Sequence, residues 1–150
     1  MDKEIDRSRK WTFFVHNCES RHYGTDLTLA ELEALIPEEW NRDFNNLYLA
    51  NWDRKNDLSI TFQGNNAVVL YSDYKTGHHW SSCDLRRVHD PKAAEVIRLS
   101  PEDSEDFSFE GYRVIPKQEA FRILKHYMSY GQPIGLYLVG EDGKPQLSTT

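Results

Sequence analysis

Four residues in the middle of the chain carry metal-binding groups: His78, His79, Cys83 and His89. Imidazole and thiolate are the usual ligands of zinc, but this spacing matches no standard zinc site. Adjacent residues of an extended segment point to opposite faces, so His78 and His79 do not converge on one ion. They read as strand or loop histidines, and neither a metal nor another cofactor is expected. A solvent-facing histidine with Tyr74 and Trp80 nearby is good interface material instead.

The second group is a run of carboxylates. Pro101 to Glu110 (PEDSEDFSFE) holds five acidic residues and no lysine or arginine. Its dense part is Glu102, Asp103, Glu105 and Asp106. Runs of this kind are usually solvated loops. The alternative is a patch that imitates phosphate charge and meets the lysines and arginines of a partner's nucleic-acid site. Phe107 and Phe109 beside the run read as buried strand residues or as anchors.

Nothing places a catalytic nucleophile or base. There is no GxSxG elbow and no HExxH. Gly64-Asn65-Asn66 and Gly140 to Gly143 lack the pattern of a phosphate cradle. A paired-carboxylate enzyme stays open, because carboxylate separation is a three-dimensional property.

At 150 residues the chain reads as one domain, 1–150, with 1–10 as a loose arm and 141–150 as a frayed tail. A chain of this size buries roughly two-thirds of its unfolded surface, so it needs no disulfide for stability. Cys18 and Cys83 are far apart and read as reduced thiols. The charged N-terminus has no apolar signal core and no apolar run reaches transmembrane length, which predicts a cytoplasmic protein without a membrane partner. The formal net charge is −6. That argues against direct binding of nucleic acid and suits a basic protein partner.

The elements that must hold these groups follow from pattern. Trp11 to Val15 reads as a strand and Asn17 to Asp26 as a loop. Thr28 to Glu31 is a capping box ahead of a helix over Leu29–Ile36, which Pro37 ends or follows with a second short turn. Asn46 to Trp52 alternates Leu47 and Leu49 with Tyr48 and Ala50, a possible strand, and Asp53 to Asp57 reads as a turn. Leu58, Ile60 and Phe62 alternate with Ser59 and Thr61 as a half-buried strand. Gly64-Asn65-Asn66 turns into a returning strand over Ala67–Tyr71, and His79 to Cys83 is a candidate third strand. Asp84 to Ala94 is irregular, with a turn at Asp90-Pro91, and Glu95 to Leu99 is a short strand candidate. Trp52 is expected in the core, and Trp80, in a polar hairpin end, is expected to be exposed.

Start, period and stop signals agree best in Tyr112–Gly140. Pro116 suits a helix start. Ala120, Phe121, Leu124, Tyr127 and Met128 share one stripe, opposite Gln118, Arg122, Lys125 and Ser129. Gly131 and Pro133 stop the helix, and Ile134 to Val139 reads as a strand. The expected fold is α+β: an antiparallel sheet of about five or six strands with two main helices packed on it. The apolar stripe should lie on the Leu58–Cys83 meander.

In that stretch an extended V-I-P is followed by a helix of the form E-A-x-x-x-L-x-x-Y, a G-x-P and a short strand. This resembles the C-terminal signature of the first-named immunity-protein family of bacterial polymorphic toxin systems. The hairpin LSITFQGNNAVVLYSD, the strand GHHWSS and the acidic segment also follow the family's order, so the resemblance covers roughly Leu58 to Gly140. Where the family often has a tryptophan in its last strand, this chain has Tyr137. The resemblance implies a cytoplasmic, non-enzymatic antidote. Such a protein binds a cognate toxin domain, often a nucleic-acid deaminase or nuclease, and blocks its active site. The contacts expected here are Asp73, Tyr74, His78, His79 and Trp80 from the hairpin end, and Glu102, Asp103, Glu105 and Asp106 from the acidic run. The rivals are a small enzyme using histidines or carboxylates and a general protein-binding adaptor.

Overall fold

A computed structural model describes residues 9–17, 20–88, 90–101, 107–144 and 146, with the backbone alone at 20–22. Cys18, His89 and the acidic residues Glu102, Asp103, Glu105 and Asp106 lie outside the described residues.

In chain order the elements are β1 (Trp11–His16), β2 (Ser20–Leu27), α1 (Leu29–Trp40), β3 (Phe44–Asn51), β4 (Asn56–Gln63), β5 (Asn66–Asp73), β6 (His78–Ser81), β7 (Val96–Arg98), β8 (Ser108–Glu110), β9 (Ile115–Pro116), α2 (Lys117–Tyr130) and β10 (Tyr137–Leu138). One sheet of eight strands runs β10-β6-β5-β4-β3-β1-β2, with β9 also paired to β5. Every described pairing is antiparallel, and β7 and β8 form a separate hairpin. The fold is the expected α+β architecture with a larger sheet. The additional strands are the polar β2 and the two-residue β9, while the strand expected after the C-terminal helix is β10.

The register sorts the side chains. Phe13, Leu49, Leu58, Tyr71 and Trp80 are partners across five strands, and Val15, Leu47, Ile60 and Val69 are partners across four. Successive residues of a strand point to opposite faces, so both rows share a face. Both helices cover it. Leu32 and Ile36 of α1 and Ala120, Ile123, Leu124, Tyr127 and Met128 of α2 join those strand residues in one buried cluster. The expected stripe of α2 therefore lies on the sheet, with Ile123 added to it and Phe121 at its margin against Trp40, 5.1 Å between ring centroids.

Local signals explain the helix ends. Thr28 Oγ1 accepts from the Glu31 N–H at 3.0 Å, and the Thr28 N–H donates back to Glu31 Oε1 at 3.1 Å, a complete capping box. Gly131 stops α2 at φ 77°, the left-handed conformation that glycine tolerates best. The expected end at Pro37 gives way to a helix that continues to Trp40. Proline removes one N–H donor, but downstream Glu39 and Trp40 gain tertiary contacts, and Glu39 is fully buried.

The two tryptophan expectations are reversed. Trp52, beyond the end of β3, is 37% exposed. Trp80 is half-buried on the helix-covered face, 5.3 Å from the Tyr71 ring. Its parity in β6 decides this, because the residue opposite Tyr71 must share Tyr71's face. Asn17 to Asp26, expected as a loop, contains β2. Its sequence lacks an apolar alternation, and pairing with β1 imposes the extended form. Of the outermost segments, Lys10 accepts from the Trp52 N–H at 3.2 Å, and the Gly140 N–H donates to Lys144 O at 2.9 Å.

Candidate functional site

The second face of the sheet carries no helix. Its rows are Thr12, Ala50, Asp57, Ser72 and His79; Phe14, Tyr48, Ser59, Leu70 and Ser81; and His16, Asn46, Thr61 and Val68. Part of it is covered. Val68 and Leu70 pack with Leu99, Val114, Ile97 and Phe109, so the β7–β8 hairpin and its flanks sit over β5. Phe107 approaches His16 and Phe44, at 5.4 and 5.7 Å between ring centroids. A strip from Phe14 through Tyr48 and Asp57 to Ser72 and His79 lies beside this cover. The chain either side of the acidic run is anchored at the same cover, where the Leu99 N–H donates to Phe107 O at 3.0 Å.

Hydrogen bonds pin the strip to the sheet. Asn46 Nδ2 donates to Ser59 Oγ at 3.2 Å and to Thr61 Oγ1 at 2.8 Å. Asp57 is 7% exposed and accepts on Oδ2 from the Tyr48 hydroxyl at 2.7 Å and from the Tyr74 hydroxyl. The Phe14 and Tyr48 rings stack at 4.4 Å, 20° from parallel. Tyr74, 63% exposed, follows β5 and reaches back to the same carboxylate oxygen. Burial, then the bond to Asp57, push the Tyr48 phenol well above its ordinary range. The bond to Asp57, then burial, raise Tyr74 to about 12. Both phenols are thus held neutral, as donors to a carboxylate.

The structure divides the expected hairpin-end residues. Tyr74 and His79 belong to the strip. Asp73, His78 and Trp80 take the opposite parity and lie at the edge of the helix-covered face. The Asp73 carboxylate accepts from the Lys75 N–H at 2.9 Å, closing the turn, and His78 meets Trp80 edge-on at 5.9 Å. Asp73 and Trp80 border a cleft of about 330 Å³ with Gln132, Pro133 and Leu136. The acidic run lies outside the described residues and is placed on neither face.

The strip also contains a nucleophile–base pair. Ser72 Oγ and His79 Nδ1 are 2.8 Å apart across β5 and β6. They border a cleft of about 370 Å³ together with Glu110 and Arg113. Arg113 Nε donates to Glu110. No hydrogen bond among the described residues orients His79 through Nε2. Among the described residues no group of three or more histidines, cysteines or carboxylates is placed to hold a metal. Cys83 is a buried free thiol, and burial raises its pKa.

Phe14, Tyr48 and Asp57 were not among the residues expected to bind a partner. The sequence pattern reads Asp57 as the end of a turn, whereas β4 begins at Asn56 and includes it. A signal was present. Phe14 breaks the apolar parity of Trp11, Phe13 and Val15, and Tyr48 breaks that of Leu47 and Leu49. Large aromatics on the wet side of two strands mark a face with something to contact.

No helix among the described residues is long and apolar enough to cross a membrane. A scan against protein-family models gave no match, and no curated protein matches the chain.

Proposed function

We propose that this protein is a toxin antidote: it binds a cognate toxin domain, a nucleic-acid deaminase or nuclease, and occludes its active site in the cytoplasm of the cell that carries both. The observation that carries this reading is the helix-free strip. It joins exposed aromatic rings to a nearly buried carboxylate and fixes both with cross-strand hydrogen bonds. Tyrosine offers large contact area at low conformational cost, and a preformed surface avoids much of the ordering cost of binding. The net charge of −6 favours encounter with the basic cleft of a nucleic-acid enzyme. The order of motifs from Leu58 to Gly140, which resembles an immunity-protein family, supplies the biological setting. The acidic residues Glu102, Asp103, Glu105 and Asp106 would add to the negative charge that draws such a partner.

The test is co-expression with the toxin domain encoded beside this gene. Rescue of growth and co-purification of a stoichiometric complex are expected. A Tyr48→Ala, Tyr74→Ala double variant should weaken the complex at least about tenfold, as loss of interface anchors does. If the protein neither rescues growth nor co-purifies, the pairing is refuted. If the double variant binds as the wild type does, the strip is not the interface.

The Ser72–His79 pair favours a second reading, a small hydrolase with Ser72 as nucleophile and His79 as base. It requires turnover of an activated ester that Ser72→Ala abolishes. Equal rates in the wild type and the variant would dismiss it.

A further inference from the structure

The Asp57 carboxylate is in an unusual position. It is 7% exposed, and no lysine, arginine or histidine among the described residues forms an ion pair with it. Both tyrosines donate to Oδ2, and none of the described hydrogen bonds uses Oδ1. Desolvating an anion is costly unless opposite charge or donors compensate it. Two phenols supply part of that compensation, and a cation would complete it.

The surroundings select the kind of cation. Phe14 stacks on one face of Tyr48 at 4.4 Å, so the two form an aromatic wall two rings thick beside the carboxylate. Tyr74 donates to the same oxygen as Tyr48 with most of its surface in solvent. The cross-strand neighbours of Asp57 are Ala50 and Ser72, and Ser59 faces Tyr48. These small side chains flank the carboxylate, and the Tyr48 and Tyr74 hydroxyls both donate to its Oδ2. A phenol that donates to a carboxylate has a more electron-rich ring, which strengthens attraction for a cation over its face. A planar, weakly hydrated guanidinium can lie along an aromatic wall and donate to a carboxylate edge at the same time. A compact, strongly hydrated ammonium does this poorly.

We propose that Phe14, Tyr48, Asp57 and Tyr74 form a receptor for one arginine side chain of the bound protein. The guanidinium lies against the aromatic wall and donates to Asp57 Oδ1. The toxin-antidote reading identifies the protein that delivers the arginine. The receptor itself rests on the geometry of these four residues and is testable without a toxin.

The experiment is an NMR titration of the full chain with N-acetyl-arginine methylamide. N-acetyl-citrulline methylamide serves as the neutral control of the same shape, and N-acetyl-lysine methylamide as the ammonium control. The arginine probe should shift the Tyr48 and Tyr74 ring resonances saturably in the millimolar range, and neither control should do so at equal concentration. Asp57→Asn should weaken the response by about tenfold or more, a reasonable size for loss of a charge-assisted contact. Tyr74→Phe keeps an exposed ring and removes only the hydroxyl, and it should weaken the response less. If Asp57→Asn fails to fold, Phe14→Ala carries the test through loss of the wall and should also weaken binding.

Equal shifts with the citrulline or lysine probe would overturn the assignment. So would the absence of any saturable shift, or wild-type affinity in all three variants. Arginine binding without toxin rescue would refute the antidote reading and leave the receptor standing. Toxin rescue without arginine binding would do the reverse.

Discussion

Glu39 shows what a single buried charge does in this fold. Its side chain is fully buried under α1. It accepts from the Tyr23 hydroxyl at 2.6 Å, from Asn45 Nδ2 at 2.8 Å, from Arg42 Nε at 3.1 Å and from Asn17 Nδ2 at 3.2 Å. Burial alone would raise its pKa. The donors from Tyr23, Asn45 and Arg42 outweigh it and hold the carboxyl below the ordinary glutamate value of 4.5. The folded-state pKa is depressed, so the stabilisation is fully present above 4.5 and fades as pH falls through the lower folded value. Glu39→Gln should cost about 2–3 kcal/mol near neutral pH, the usual size for charged hydrogen bonds lost from a buried site. Urea titrations should show that difference shrinking as the pH is lowered below 4. A constant difference between pH 7 and 3 would show that the carboxylate's charge is not what stabilises the site. Tyr74 has the opposite sign. Its pKa is raised from 10.0 to about 12, so its bond to Asp57 survives below pH 10 and is lost as the phenol ionises near 12. An NMR titration of the Tyr74 ring should place its midpoint well above 10, and Asp57→Asn should bring it down. An unchanged midpoint in the variant would remove Asp57 as the cause.

At the scale of elements, α1 and α2 end by different means. The Gly131 carbonyl accepts from Asn56 Nδ2 at 3.1 Å, and Asn56 Oδ1 accepts from the Tyr127 hydroxyl at 2.7 Å, tying the end of α2 to β4. A Cβ at Gly131 would also lie 1.2 Å from Arg54 Nη1, so the Arg54 side chain would have to move. Gly131→Ala should therefore destabilise the protein by about 1–2 kcal/mol from the left-handed backbone alone, seen as a lower Tm. An unchanged Tm would mean that the stop is not set by glycine. In α1, Pro37 lies inside the helix and supplies no N–H to the preceding turn. Pro37→Ala restores that donor and should raise stability by about 1–3 kcal/mol, read by denaturant unfolding. A less stable variant would mean that the ring's packing outweighs the missing bond. The strands illustrate a different constraint. β4 and β5 announce themselves by alternation, whereas β2 is extended because β1 offers it an edge to pair with. Tyr23 then stacks on Phe13 at 5.1 Å and extends the core outward.

For the whole molecule, the decisive feature is a sheet with two unlike faces. One carries both helices and the large apolar cluster. The other carries polar rows, a partial cover and the Phe14–Tyr48–Asp57–Tyr74 group. A protein of net charge −6 presenting such a face should capture a basic partner at a rate that falls steeply with ionic strength. Stopped-flow association with the proposed toxin partner at low and physiological salt would measure this. A salt-independent rate constant would mean that charge does not guide the encounter.

Local pattern was enough for much of this architecture. The capping box at Thr28, the alternation of Leu58, Ile60 and Phe62, the stripe on α2 and the stop at Gly131 each depend on residues within a few positions of one another. The α+β class and the packing of α2 on the meander follow from them. Tertiary structure alone decided the rest. Pairing with β1 made β2 a strand, register placed Trp80 under α2, and contacts beyond Pro37 carried α1 past its proline. The site was half legible for the same reason. Tyr74 and His79 could be placed together near a hairpin end from the sequence, and the structure sets both on the helix-free face. Asp57 gained its meaning only when strand pairing set it between Tyr48 and Tyr74, residues 9 and 17 positions away. Side-chain period is a property of one strand and can be read along it. The meeting of two strands and a turn at one carboxylate depends on register between strands, which no single segment encodes.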